Sequence, residues 1–171
     1  MERRLFLGLL PTLLLAPAGL CSPPNPNFSG TWKQSNERCL PKRAGDVTLH
    51  IDHRDPVFLL ETTSLRGSAP PRHALQRYST DGTTSVSTGV DGDEFHTSIQ
   101  WNGPSLVFSV EEHEEGRILL SRETWTLIEN QATLQREREG LNEPAGEGRK
   151  QTLIYLRQSQ DGQSTARLDR R

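Results

Sequence analysis

Residues 94–110 read EFHTSIQWNGPSLVFSV, and this stretch decides the fold. Phe95, Thr97, Ile99 and Trp101 fall on one side of an extended chain, and His96, Ser98 and Gln100 on the other. Past a turn signal at Asn102-Gly103, Leu106, Phe108 and Val110 again share a side. Side chains of a strand alternate between faces with period two, so each half reads as a strand covered on one face and wet on the other. Asn-Gly tolerates the positive φ of a tight hairpin, so the two halves should pair.

The same alternation extends outward in both directions. Val47, Leu49 and Ile51 oppose Thr48, His50 and Asp52; Trp125 and Leu127 share a face, as do Leu153 and Tyr155. Turn signals at Arg54-Asp55-Pro56, Asp81-Gly82, Asp91-Gly92 and Glu129-Asn130 separate the runs, and no window carries a strong apolar stripe of helical period. These signals predict ten strands, over about 28–36, 46–53, 57–65, 73–80, 83–90, 94–101, 104–112, 117–128, 131–139 and 150–158. The strand at 117–128 is expected to carry a bulge, because its apolar face shifts between Leu120 and Trp125. Short connections make sequence neighbours antiparallel neighbours in space. With only 32% hydrophobic residues the chain cannot cover both faces of every strand. A single sheet closed on itself meets that limit and removes exposed edges. The expected fold is all-β, an antiparallel up-and-down meander closed into a barrel.

The barrel is expected to span 28–158. Before it, Arg3 and Arg4, an apolar run from Leu5 to Leu15 and small residues at Ala16 and Ala18 form the three parts of a secretory signal peptide over 1–18. Residues 19–27, rich in proline, read as an extended linker, and 159–171 as a disordered tail. The expected location is secreted or periplasmic, with lipid anchoring at Cys21 as the lesser alternative. In such a compartment Cys21 and Cys39 form a candidate disulfide. A net charge of −2 provides no basic footprint for nucleic acid. A mean hydropathy of −0.66 leaves no room for several membrane spans, so no transmembrane segment is expected after processing, and the chain should be a monomer.

The first strand opens Asn27-Phe28-Ser29-Gly30-Thr31-Trp32-Lys33, which resembles the start of lipocalins and fatty-acid-binding proteins, where Gly-x-Trp begins the first barrel strand. Further motifs follow at Tyr78-Ser79-Thr80-Asp81-Gly82, Trp101-Asn102-Gly103-Pro104-Ser105-Leu106-Val107, Trp125-Thr126-Leu127 and Leu153-Ile154-Tyr155-Leu156. Together they look like a group of secreted bacterial lipocalin-like (calycin-type) β-barrel proteins. The resemblance implies a fold rather than a reaction. It implies that Trp32 plugs one end of the barrel and that Arg157, a basic residue late in the chain, packs over it. The sequence departs from fatty-acid-binding proteins twice. Their Arg-x-Tyr on the last strand is here Leu153-Ile154-Tyr155, and Asn36 to Gly45 is too short for their helical lid.

No nucleophile elbow, zinc-protease helix or phosphate loop is present, and no catalytic residue, metal site or cofactor is assigned. His50-Ile51-Asp52-His53 reads as wet-face residues entering a turn, and Glu111-Glu112-His113-Glu114-Glu115 as a solvated hairpin tip. The expectation is a non-enzymatic barrel that binds a small, largely apolar molecule. Trp32, Trp101, Phe108, Trp125, Tyr155 and Arg157 are the candidate binding residues. The alternative is an envelope structural or interaction module with a filled interior.

Overall fold

The computed structural model describes residues 24–89, 92–142 and 150–159. The signal peptide expected over 1–18, Cys21 and residues 160–171 of the expected tail lie outside them. Ten strands form one antiparallel sheet: β1 (Gly30–Gln34), β2 (Asp46–Arg54), β3 (Val57–Leu65), β4 (Arg72–Ser79), β5 (Ser85–Thr88), β6 (Glu94–Asn102), β7 (Ser105–Glu114), β8 (Arg117–Ile128), β9 (Thr133–Gly140) and β10 (Lys150–Arg157). Sequence neighbours pair from β1 to β4 and again from β5 to β10. The ring is made by β1 against β10, with Trp32 opposite Arg157 and Gln34 opposite Tyr155. Between β4 and β5 there is no ladder among the described residues. Only the turn after β4 reaches across, through an Asp81–Gln100 bridge and the Gly82 N–H donating to Ile99 O at 2.9 Å. The result is a nearly closed barrel with one seam.

The hairpin of β6 and β7 follows the predicted alternation, but its turn sits one residue later than expected. Asn102 still pairs with Ser105, and the loop is Gly103-Pro104. Gly103 takes φ +57°, which a glycine at the first central position supplies without strain. The bulge expected in 117–128 is absent: β8 stays in continuous register with β7 from Arg117 to Trp125 and with β9 from Ser121 to Ile128. The apolar pattern shifts for another reason. Ser121 and Glu123 occupy the same inward phase as Trp125, so the face stays fixed while its chemistry changes.

One end of the barrel is sealed. Phe28, Trp32, His53 and Phe58 are buried there, and Trp101 packs against them. The Phe28 ring meets those of His53, Phe58 and Trp101 at 5.9, 6.4 and 6.1 Å. Phe28 N–H donates to His53 Nδ1 at 3.3 Å, and His53 Nε2 lies 2.9 Å from Asp55 Oδ1. The same carboxylate accepts from Thr80 Oγ1 at 2.7 Å and Trp101 Nε1 at 3.2 Å. Burial alone would raise the Asp55 pKa. These hydrogen bonds, with one from Asn25, outweigh it and hold the carboxyl below the usual range. The β2–β3 turn, the end of β4 and β6 are thereby tied at one carboxylate.

Trp32 and Arg157 meet beside this seal. The guanidinium sits 4.1 Å from the indole centroid, within the reach of a cation–π contact. Arg157 Nη1 donates to Ser29 O at 2.6 Å and Nε to Gln131 O at 2.9 Å, while Trp32 Nε1 donates to Phe28 O at 3.0 Å. Gly30 makes room for the arginine. A Cβ there would lie 2.8 Å from Arg157 Nη1, and the backbone takes φ +137°. Steric space and backbone conformation both require glycine.

After β1 the chain makes one turn of 3-10 helix (Asn36–Arg38) and then runs along β10. Leu40 exchanges hydrogen bonds of 2.8 and 2.7 Å with Thr152, and Ser35 N–H donates to Ile154 O at 2.8 Å. This strap covers the part of β10 that the short β1 leaves unpaired. The buried Cys39 thiol lies beneath it, donating to Ser35 O at 3.3 Å and accepting from Ile154 N–H at 3.4 Å.

Gly30→Ala is expected to destabilise the barrel by about 1–3 kcal/mol, the usual cost of forcing a side chain into strained backbone. Chemical denaturation of the variant beside the unaltered chain measures it. An unchanged midpoint would refute the account of the Gly30–Arg157 contact.

Candidate functional site

Above the sealed end the inward residues change character. Leu49, Ile51, Leu60, Ile99, Leu106 and Leu134 form an apolar layer, buried to 95% or more. Beyond it lies a cavity of about 210 Å³ that is open on one side. Phe95, Phe108, Val110, Trp125, Tyr78 and Leu60 supply its apolar walls; Gln76, Thr97, Glu112, Ser121, Glu123, Arg136 and Arg138 supply polar ones. Phe108 and Trp125 stack at 4.5 Å, and Phe108 takes the Tyr78 ring edge-on at 6.0 Å.

The polar centre is an ion pair inside the barrel. Glu123 on β8 and Arg136 on β9 are each only 17% exposed, with Arg136 Nη2 donating to Glu123 Oε2 at 2.7 Å. Trp125 Nε1 donates to the same oxygen at 2.9 Å. Arg136 Nη1 donates to Tyr155 Oη at 3.3 Å, and the guanidinium lies 4.2 Å from the Trp125 ring centroid. Burial alone would raise the Glu123 pKa. The Arg136 charge and the hydrogen bonds from Arg136 and Trp125 overcome that and hold the carboxyl below the usual range. Burial works against the Arg136 charge, but Glu123 more than restores it, so the guanidinium stays ionised. Burial pushes the Tyr78 phenol up to about 12 and raises that of Tyr155, so both remain neutral hydrogen-bonding groups.

One donor of this group is unused. Arg136 Nε is buried and has no hydrogen-bond partner among the described residues. A guanidinium carries five N–H donors, and a buried unmet donor costs about 1–3 kcal/mol. The guanidinium is thus held in one orientation beside the aromatic walls by Glu123, Trp125 and Tyr155, with its Nε turned into the packed protein. No nucleophile–base pair is assembled there among the described residues.

The six sequence-derived candidates fall into two places. Phe108 and Trp125 line the cavity, and Tyr155 stands behind it through Arg136. Trp32, Trp101 and Arg157 belong to the sealed end. For the candidate disulfide, Cys39 is a buried thiol and Cys21 lies outside the described residues. Sequence reasoning missed Glu123 and Arg136. Their signal was present as phase: Trp125 and Leu134 set the inward side of their strands, and Glu123 and Arg136 keep that phase two residues away. The arginine missing from the last-strand triplet has a counterpart across the ladder, because Arg136 is the register partner of Leu153.

Solved structures share this architecture. Secretory abundant heat soluble protein 4 from Ramazzottius varieornatus superposes with a TM-score of 0.60 at 9% identity, covering 78% of this chain and 96% of that one. Lipid binding protein 8 from Caenorhabditis elegans gives 0.54 at 11% identity, covering 77% and 95%. Fatty-acid-binding protein 1 from Echinococcus granulosus gives 0.52 at 11% identity, covering 77% and 98%. The fold is that of the fatty-acid-binding and lipocalin-like barrels. At these identities the likeness extends to the fold alone. No family model and no curated protein matches the chain by sequence.

Truncating Glu123 to Ala is expected to cost about 3–5 kcal/mol, because it leaves Arg136 buried without a counter-charge. Replacing both, Glu123→Leu with Arg136→Met, should recover most of that loss, as denaturant unfolding of the two variants beside the unaltered chain will show. The pair also sets a pH dependence. The folded-state pKa of Glu123 is depressed, so its stabilisation is present above the unfolded carboxyl value and is lost as pH falls through the folded one. The stability gap between the unaltered chain and Glu123→Gln should accordingly narrow on acidification.

Proposed function

We propose that this chain is a secreted or periplasmic, non-enzymatic barrel that binds a small, largely apolar molecule carrying one anionic or hydrogen-bond-accepting group. The observation that carries the reading is the cavity itself: aromatic walls at Phe95, Phe108 and Trp125, with the Arg136 guanidinium among the polar lining. Neighbours of the same fold include proteins named as fatty-acid-binding and lipid-binding, which supports the class of ligand. The size argues for a modest one. Drug-sized ligands occupy pockets of roughly 300–1,000 Å³, whereas an engineered apolar cavity of about 150 Å³ takes up benzene. At about 210 Å³ the space fits a short-chain carboxylate or a small aromatic acid better than a long fatty acid. The charged opening at Arg3-Arg4, the apolar run after it and the small residues before position 19 support export.

Octanoate is the probe of choice, followed by tryptophan fluorescence because Trp125 forms part of the wall. The expected result is saturable binding at one equivalent, at least tenfold tighter for octanoate than for octanol, and abolished by Val110→Trp, which fills the cavity. No saturable binding of octanoate, octanol or naphthalene would refute the carrier and favour a module with a filled interior, a reading that the snug Arg136–Glu123–Tyr155 packing would then explain. Mass spectrometry of the chain exported by a secreting host should find residue 19 at its start; an N-terminus at Met1 would overturn the export reading.

A further inference from the structure

On the outer face of the barrel, β6 and β7 bring together four side chains that the sequence disperses. His96 stands opposite Glu111 in the ladder, and Glu94 opposite His113. All four point away from the cavity, since Phe95, Thr97, Val110 and Glu112 take the inward phase. One ligand atom each from His96, Glu111 and His113 lie within 4.8 Å of one another. The two imidazoles stack, with centroids 4.7 Å apart and planes 23° from parallel. His96 Nε2 is 2.6 Å from Glu94 Oε1.

The second observation is an unmet nitrogen. His113 Nε2 is buried as an atom and has no hydrogen-bond partner among the described residues; Glu111 Oε2, at 3.7 Å, is beyond hydrogen-bond reach. A buried, unused imidazole nitrogen beside a second imidazole and a carboxylate is placed as a lone pair awaiting an electrophile. With Glu94 on His96 Nε2, a shared cation would take His113 Nε2, the Glu111 carboxylate and the other ring nitrogen of His96.

We propose that His96, Glu111 and His113 form a divalent transition-metal site, with Zn²⁺ as the ion. Two imidazoles and one carboxylate are a common zinc donor set, with the fourth position left to water; Zn–N and Zn–O bonds of about 2.0–2.2 Å require the two stacked rings to turn about their side-chain torsions until their lone pairs converge. Imidazole selects against Mg²⁺ and Ca²⁺, which prefer an all-oxygen shell. Glu94 acts as the partner that orients His96, as a carboxylate on a ligating histidine usually does. The Glu94 carboxylate on the same face adds negative potential beside the cluster. An ion here would clasp the strands directly behind Phe95 and Glu112, which line the cavity. The site is independent of what the cavity binds.

Isothermal titration of the untagged, metal-free full chain with ZnCl₂ tests it, in excess Mg²⁺. One equivalent should bind, weaken at least tenfold in His113→Ala and in Glu111→Gln, and remain within twofold in His50→Ala, an outer-face histidine elsewhere in the barrel. Thermal unfolding of the metal-free variants checks that they fold, and saturating Zn²⁺ should raise the midpoint of the unaltered chain but not that of His113→Ala. No binding by the unaltered chain, displacement by Mg²⁺, or an equal loss in His50→Ala would overturn the proposal.

Discussion

The barrel depends on the meeting of its first and last strands. β1 is five residues long, yet it pairs with β2 on one side and β10 on the other. So short a ladder holds little by itself. Arg157 reinforces it by crossing the junction: it stacks on Trp32, donates to Ser29 and Gln131, and lies over the one residue without a side chain, Gly30. The strap that follows β1 then takes up the free hydrogen-bonding groups of β10 at Thr152 and Ile154. Closure thus rests on one guanidinium, one indole and a glycine, with the hydrogen bonds of the strap completing the wall. The opposite seam, between β4 and β5, has no ladder among the described residues; the backbone bonds across it come from the turn at Asp81-Gly82, and side chains cross it at Asp55 and between Tyr78 and Phe108.

Closing the sheet creates an interior that the chain does not fill with apolar groups alone. At the sealed end, aromatic rings and the Asp55 carboxylate satisfy one another. In the other half the walls carry Glu123 and Arg136. A buried pair of this kind is a poor source of stability, since desolvation of both charges offsets their attraction. Its effect is to hold a charged donor in one orientation. Trp125 braces the guanidinium from one side and Tyr155 from another, and Glu123 keeps it ionised.

The two faces of the same strands do different work. Along β6 and β7 the inward residues wall the cavity, while the outward ones collect imidazoles and carboxylates. Period two permits this because successive side chains never compete for one side of the sheet. The run from Glu111 to Glu115 is therefore two populations: Glu112 belongs to the cavity, and Glu111 and His113 to the outer cluster.

Alternation and turn chemistry by themselves determined the ten strands and their antiparallel order, because period two and hairpin φ are local properties; the sheet curls into a barrel as expected but stays open at the β4–β5 seam. The departures were local too: a turn displaced from Asn102-Gly103 to Gly103-Pro104, and a bulge inferred at 117–128 where polar residues occupy inward positions. Only the tertiary structure decided what those positions contain. Glu123 and Arg136 are ordinary charged residues in the sequence, and they become a buried pair because strand register places them on adjacent strands facing the barrel interior. His96 and His113 likewise lie far apart along the chain, and the β6–β7 ladder stacks them. Which charges meet, and in what dielectric, is a property of register and burial, and neither is written in any single stretch of sequence.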